Sequence, residues 1–230
     1  MTTILLFDFD GTIALGDGPV LAYARHVAIA LGAPERFVHD IRTAIAAAGP
    51  DAVDGYDVVR RAADGLGADR AVLSAAYLAS RAQLATAAAP VTVPSGLVEF
   101  LRTAGSVAER VLVTNAPAVR LPEALEHLGL AGLFDRIVTD ARKPAGMEKV
   151  LDALPSGARV LSIGDMWRND LAPAHARGHA TALIGGFADP AATPTFRAAD
   201  FATLAPQLEA WLPATDSSVP PISHTLTTEG

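Results

Sequence analysis

Cysteine is absent from the 230 residues. That excludes disulfides, thiolate nucleophiles and zinc–thiolate centres. Lysine is nearly absent: only Lys143 and Lys149 occur, against sixteen arginines. A base-composition bias is the simplest reading, and a lysine that survives it marks a position where arginine is a poor substitute. Positive charge is outweighed overall, with a net charge of −7. Neither a nucleic-acid partner nor an anionic membrane surface is expected. Long apolar runs are also missing. The longest uncharged stretch, residues 82–98, is rich in Ala and Thr and is broken by Pro90 and Pro94, so it is a poor membrane span. Residues 1–7 carry no basic stretch before Asp8, unlike a secretory signal, and a cytoplasmic protein is expected. None of the six histidines has metal-ligand spacing.

What is present is a chain that is half apolar, enough for one large domain or a core with a smaller insertion. Short apolar runs alternate with helical patterns. Ile4-Leu5-Leu6-Phe7 stops at Asp8, Val111-Leu112-Val113 at Thr114, and Ile137-Val138 near Asp140. Val160-Leu161-Ser162-Ile163 stops at Gly164-Asp165, and Thr181-Ala182-Leu183-Ile184 at Gly185. Runs this short and continuous suit central strands of a parallel sheet covered on both faces. With helical patterns such as 121–128 and 147–154 between them, they predict a doubly wound α/β domain.

Residues 16–90 break the rhythm. Val20, Ala24, Val27 and Leu31 fall at helical spacing, as do Leu73, Tyr77 and Leu84. Four helices are predicted there, divided near Gly32, Gly49-Pro50 and Gly65-Leu66-Gly67. The expected organisation is a core of residues 1–15 and 91–213, a helical cap of 16–90, and a disordered Ser/Thr/Pro-rich tail of 214–230. By count, residues 14–90 hold seven arginines and eight acids, so the insertion is no basic funnel. Arg60, Arg61, Tyr23, His26, Arg25 and Gln83 are weak candidates for substrate contact, with core packing or solvation the safer expectation.

Polar residues gather just past the strand ends, where ligands bind open parallel sheets. Asp8, Asp10 and Asp165 converge there, with Asp170 close by. Carboxylates at such range repel unless a cation intervenes, and a hard dication with oxygen ligands, Mg²⁺, fits. A carboxylate beside such an ion can attack phosphorus. A second, two residues on, can protonate the leaving oxygen and then deprotonate water. Gly11 permits a sharp exit from the strand. Thr114, the amide after it, and Lys143 can hold phosphoryl oxygens. Asp170 could alternatively cap the helix that follows, and Trp167 could shape the entrance.

The segments Leu5-Leu6-Phe7-Asp8-Phe9-Asp10-Gly11-Thr12, Val111-Leu112-Val113-Thr114-Asn115, Lys143-Pro144 and Gly164-Asp165-Met166-Trp167-Arg168-Asn169-Asp170 resemble, in order, the four motifs of the haloacid dehalogenase superfamily. The resemblance implies a Rossmann-like core with a helical cap and a Mg²⁺-dependent phosphatase, phosphoglycolate-phosphatase-like, working through an aspartyl-phosphate. It implies Asp8 as nucleophile and Asp10 as general acid/base. It implies Asp8, Asp10 (through its backbone carbonyl), Asp165 and Asp170 as metal ligands, and Thr114, Asn115 (through its backbone amide) and Lys143 as phosphate binders. Asp10 argues against the dehalogenases, which lack this second acid, and a cap without lysine argues against the phosphonate-cleaving branch. Met166-Trp167 depart from the Ser or Thr usual after the first acid of the fourth motif. The expected substrate is a small phosphorylated metabolite: a sugar phosphate, a phosphoglycolate-like acid or a nucleotide. The alternatives are a phosphomutase and a catalytically silent regulatory relative. A monomer or homodimer is expected.

Overall fold

In the computed structural model, residues 2–47, 54–185 and 189–214 are described. Six strands form one parallel sheet: β1 (Thr3–Phe7), β2 (Glu109–Val113), β3 (Arg136–Val138), β4 (Arg159–Gly164), β5 (Ala180–Ile184) and β6 (Phe196–Ala198), in the spatial order β3-β2-β1-β4-β5-β6. The helices are α1 (Gly18–Leu31), α2 (Phe37–Ala46), α3 (Gly55–Asp64), α4 (Arg70–Arg81), α5 (Leu97–Ala104), α6 (Leu121–His127), α7 (Ala145–Asp152), α8 (Ala172–Ala176) and α9 (Phe201–Trp211). A Rossmann-like α/β core results.

The register explains why β1 carries no polar residue in its inner run. It pairs with β2 on one side (Leu6 with Val111) and β4 on the other (Leu6 with Ser162), so neither edge meets water. Its side chains alternate between two cores, as strand geometry requires. Leu5 and Phe7 pack with Phe100, Leu101, Leu125 and Phe201 from α5, α6 and α9. Ile4 and Leu6 pack with Met147, Val150 and Leu151 of α7 and Ala174 of α8.

The chain leaves β1 towards β2 on one side and returns from β3 to β4 on the other. That reversal makes a crevice at the carboxyl ends of β1 and β4, and Asp8 and Asp165 stand at its two lips. Helices α1–α4 lie between β1 and β2 and pack on one another around a third apolar cluster: Leu21, Tyr23, Val27, Phe37, Ile41, Val59 and Ala76. Asp54 and Asp69 cap α3 and α4 by accepting from Asp57 N at 2.7 Å and Val72 N at 2.8 Å. The two crossings between this group and the sheet run side by side, since Leu15 and Thr92 exchange backbone hydrogen bonds of 2.8 and 3.0 Å.

One detail differs from expectation. A sixth strand, Phe196–Ala198, lengthens the sheet beyond β5. The division near Gly49-Pro50 and the tail from residue 215 fall outside the described residues. Among the described residues no helix is long and apolar enough to cross a membrane.

Candidate active site

Asp8 is the first residue past β1, and its amide still donates to Ile163 O of β4 at 3.0 Å. The chain then turns tightly: the amides of Thr12, Ile13 and Ala14 all donate to Phe9 O. This turn returns the Thr12 hydroxyl to donate to Asp8 Oδ2 at 3.0 Å. Gly11 sits at φ 85°, and a Cβ there would lie 2.3 Å from Asp165 Oδ2. Glycine is needed both for the backbone angle and for the approach of the second acid.

Asp165 follows β4, and Asp170 comes from a single wide turn of π-helix, Trp167–Leu171. The extra residue in that turn lets two acids five positions apart face one space. Asp170 is fixed from three directions. Its Oδ2 accepts from Met166 N at 3.0 Å, its carbonyl accepts from the Ser162 hydroxyl at 2.7 Å, and its Oδ1 meets Lys143 Nζ at 2.6 Å. Its carboxylate therefore caps no helix. Gly164 is required beside it, since a Cβ would fall 2.5 Å from Asp170 Cβ. Trp167 packs with Leu171, Leu183 and His175 away from the cavity, so it does not shape the entrance. Met166 and Asn169 line the cavity instead.

Lys143 lies between the acids, with Nζ 2.6 Å from both Asp8 Oδ1 and Asp170 Oδ1 and its side chain 3% exposed. Its loop is built on the end of β2. Ala141 N donates to Thr114 O and Asp140 N to Ala116 O, each at 3.0 Å. The Asn115 side chain brackets the Lys143 backbone, Oδ1 accepting from its amide at 2.6 Å and Nδ2 donating to its carbonyl at 3.3 Å. Asp140 and Arg142 take left-handed angles of 50° and 56° to make this turn, a strained backbone over-determined by its neighbours. The Thr114 hydroxyl accepts from Ala116 N at 3.0 Å, which leaves its own proton for an acceptor in the cavity.

The electrostatics are frustrated in a specific way. Oxygens of Asp8, Asp165 and Asp170 all lie within 4.8 Å of one another. Burial, then the charges of Asp8 and Asp170, push Asp165 well above the usual carboxylate range. Burial, then Asp8, pushes Asp170 up to about 7 against the pull of Lys143. Burial opposes the Lys143 ammonium, but Asp8 and Asp170 outweigh it and hold its pKa above the ordinary value. Asp170 is buried and Asp8 and Asp165 are half-buried; these three carboxylates face one ammonium, which pairs with two of them, so the cluster has an excess of negative charge and all-oxygen donors. That is the chemistry a hard dication such as Mg²⁺ satisfies. The Asp10 carboxylate is not in this cluster.

Asp10 turns towards α4. Arg81 Nη1 lies 3.0 Å from its Oδ1 and 3.4 Å from its Oδ2, and the Arg81 side chain is fully buried. Burial raises the Asp10 pKa, with Arg81 opposing. Sequence reasoning missed Arg81. The available signal was its place on the stripe Leu73, Tyr77, Arg81, Leu84, one helical step beyond Tyr77.

These groups face one cavity of about 580 Å³. Asp8, Asp10, Thr114, Asn115, Lys143, Asp165 and Asp170 form its floor, and α1 and α3 with Tyr77 of α4 form its other wall. Tyr23, Tyr56 and Tyr77 pack edge to face or tilted there, with ring centroids 5.6–6.0 Å apart, so Tyr23 serves both core and cavity. Arg60 also lines the wall but is paired with Asp57 and Asp64. Arg25 instead donates to Ala88 O.

A family model for hydrolases, haloacid dehalogenase-like hydrolase, matches residues 2–178. None of the curated proteins compared with the chain matches its sequence. Among solved structures, the candidate HAD-hydrolase YfnB from Bacillus subtilis, bound to magnesium, superposes with a TM-score of 0.63 at 20% identity, covering 90% of this chain and 99% of its own. A predicted phosphoglycolate phosphatase from Haemophilus somnus gives 0.63 at 18% identity, covering 91% and 98%. A candidate beta-phosphoglucomutase from Thermotoga maritima gives 0.56 at 17% identity, covering 91% and 99%.

Proposed function

The chain belongs to the haloacid dehalogenase-like hydrolases, and on that footing we propose that it is a Mg²⁺-dependent phosphatase of small phosphate monoesters. The observation that carries the reading is the meeting of Asp8, Asp165 and Asp170 within 4.8 Å, with Lys143 bridging two of them at the floor of the cavity. Asp8, Asp165, Asp170 and the backbone carbonyl of Asp10 would hold the ion. When bound, it supplies positive charge against the substrate phosphate and the carboxylates around it.

Each residue then has a task. Asp8 is the nucleophile, its carboxylate fixed by Lys143 on one oxygen and Thr12 on the other. One of its oxygens bonds to phosphorus as the ester P–O bond breaks, giving an aspartyl-phosphate. Asp10 gives its proton to the departing oxygen and, as a carboxylate, takes one from the water that cleaves the aspartyl-phosphate. Lys143 and the Thr114 hydroxyl donate to the transferring group's oxygens, with the Asn115 amide beside them. The Asn115 side chain holds the Lys143 loop in register. Residues 1–15 and 91–213 serve as the catalytic core, and 16–90 as a cap that excludes bulk water from the cavity.

Sugar phosphates, phosphoglycolate-like acids and nucleotides are the substrate classes to compare. The test is release of inorganic phosphate from a panel of such esters, with and without Mg²⁺. Mg²⁺-dependent release is expected, and its absence across the panel would refute the reading. An isomerised sugar phosphate in place of free phosphate would identify a phosphomutase, the alternative that the Thermotoga maritima neighbour suggests.

A further inference from the structure

Arg81 is the largest fully buried side chain in the described structure. It ends α4, where the chain begins its return to the sheet. Its guanidinium lies over the Phe9 ring, 5.7 Å from the centroid, and reaches Asp10 through Nη1 alone. It thus grips two successive residues of the loop that follows the Asp8 position. The segment beyond it is strapped down: Ala85 N and Ala89 O bond at 3.0 Å, and Arg120 Nε donates to Leu84 O at 3.1 Å. Arg81 is therefore held from its own side as firmly as it holds Asp10.

Its surroundings are poor for a merely structural ion pair. Among the described residues Arg81 Nε is buried with no hydrogen-bond partner, and the guanidinium otherwise lies beside the buried Tyr56 hydroxyl. A buried charge with an unused donor is costly, and apolar residues of similar volume would join α4 to the loop more cheaply. The guanidinium is placed to serve a charge that changes at Asp10.

We infer that Arg81 is a positioning residue for acid–base chemistry at Asp10: it fixes the carboxyl group and stabilises the negative charge left there when the proton goes to the leaving oxygen. This rests on the phosphatase reading. In the first half-reaction the Asp8–phosphorus bond forms, the ester P–O bond breaks, and the Asp10 proton moves to the released alkoxide oxygen. Asp10 becomes an anion inside a site already rich in carboxylates, beside Arg81. In the second half-reaction that carboxylate takes a proton from water, so the same pairing keeps it aimed.

The consequence is selective. An ester whose leaving group departs as a stable phenolate needs little protonation, whereas an alkyl phosphate needs it fully. Steady-state kcat/KM with Mg²⁺, which reports the steps up to release of the leaving group, is to be measured for p-nitrophenyl phosphate and β-glycerol phosphate on wild type, Arg81→Met, Arg81→Lys and Asp10→Asn. General acid catalysis is worth about 10²–10⁴-fold, so Arg81→Met should lose on the order of tenfold or more on the alkyl ester and roughly threefold or less on the aryl ester. Asp10→Asn should show the same skew more strongly, and Arg81→Lys should recover part of it. Trapped aspartyl-phosphate should persist longer in Arg81→Lys than in wild type.

Equal losses on both esters, or none on either, would overturn the inference and leave the phosphatase reading intact. If Arg81→Met does not fold, the skew and the intermediate's lifetime in Arg81→Lys decide. Wild-type protein that releases phosphate from neither these esters nor the wider panel would remove the phosphatase reading and this inference together.

Discussion

Replacing Lys143 by Met tests how the acid cluster is held together. Wild-type Lys143 Nζ is 2.6 Å from Asp8 and from Asp170, whose side chains are 10% and 4% exposed. Methionine keeps most of the volume and removes the ammonium that pairs with two of the three carboxylates lying within 4.8 Å of one another. Removing one partner of a buried ion pair costs about 3–5 kcal/mol. For a domain of this size each kcal/mol moves Tm by about 2–4 °C, so the metal-free variant should melt roughly 6–20 °C below wild type near pH 8. The deficit should shrink on acidification, because proton uptake is the one relief left to the carboxylates. Mg²⁺ should recover more stability in the variant than in wild type, since it would meet three carboxylates with no other counter-charge. Turnover should fall by about 10²–10³, the loss of one preorganised donor, near 3 kcal/mol. Thermal melts at pH 5.5 and 8, each with EDTA and with Mg²⁺, read all but the last. A metal-free Tm within a degree or two of wild type at pH 8 would refute the electrostatic reasoning.

Asp170 gives a pH dependence of definite sign. Its pKa rises from 3.8 to about 7 in the folded metal-free protein, so this group's stabilisation is fully present below pH 3.8 and is lost as pH rises through 7. The linkage is worth about 4 kcal/mol; Asp170→Asn should flatten the stability profile between pH 4 and 7, and an unchanged slope in urea unfolding would contradict the assignment. Gly11→Ala places a methyl 2.3 Å from Asp165 Oδ2 at φ 85°. It should cost about 1–3 kcal/mol of stability through backbone strain and displace Asp165 enough to weaken Mg²⁺ binding in a calorimetric titration, and normal affinity would count against the shared-space geometry.

Much of the core was legible because its strands are buried on both faces. Ile4 to Phe7 and Val160 to Ile163 have no solvent face to encode, so they read as apolar runs interrupted only by the buried Ser162, and the chemistry begins where each run stops. Among the inserted helices, α1 and α4 were legible from apolar spacing, and the ends of α1 and α3 from Gly32 and Gly65. β6 was not: Phe-Arg-Ala at the sheet edge is three residues long and carries too little pattern. Asp170 was ambiguous because π-turn and capping geometries give the same string of residues, and only the Met166 and Lys143 contacts separate them. The Asn115 side chain was hidden for a related reason, since its partner is the backbone of a residue 28 positions away. Arg81 was obscured by abundance. One arginine among sixteen reads as solvated until the structure shows it fully buried against Asp10.

The central claim is that Asp8 carries the phosphoryl group. Rapid acid quench of the enzyme turning over a ³²P-labelled monoester with Mg²⁺, followed by peptide mapping, tests it most directly. The account predicts an acid-stable, hydroxylamine-labile label on the peptide containing Asp8, absent in Asp8→Asn, which should fold normally and release no phosphate. Label on another residue, or near-normal turnover by Asp8→Asn, would contradict it.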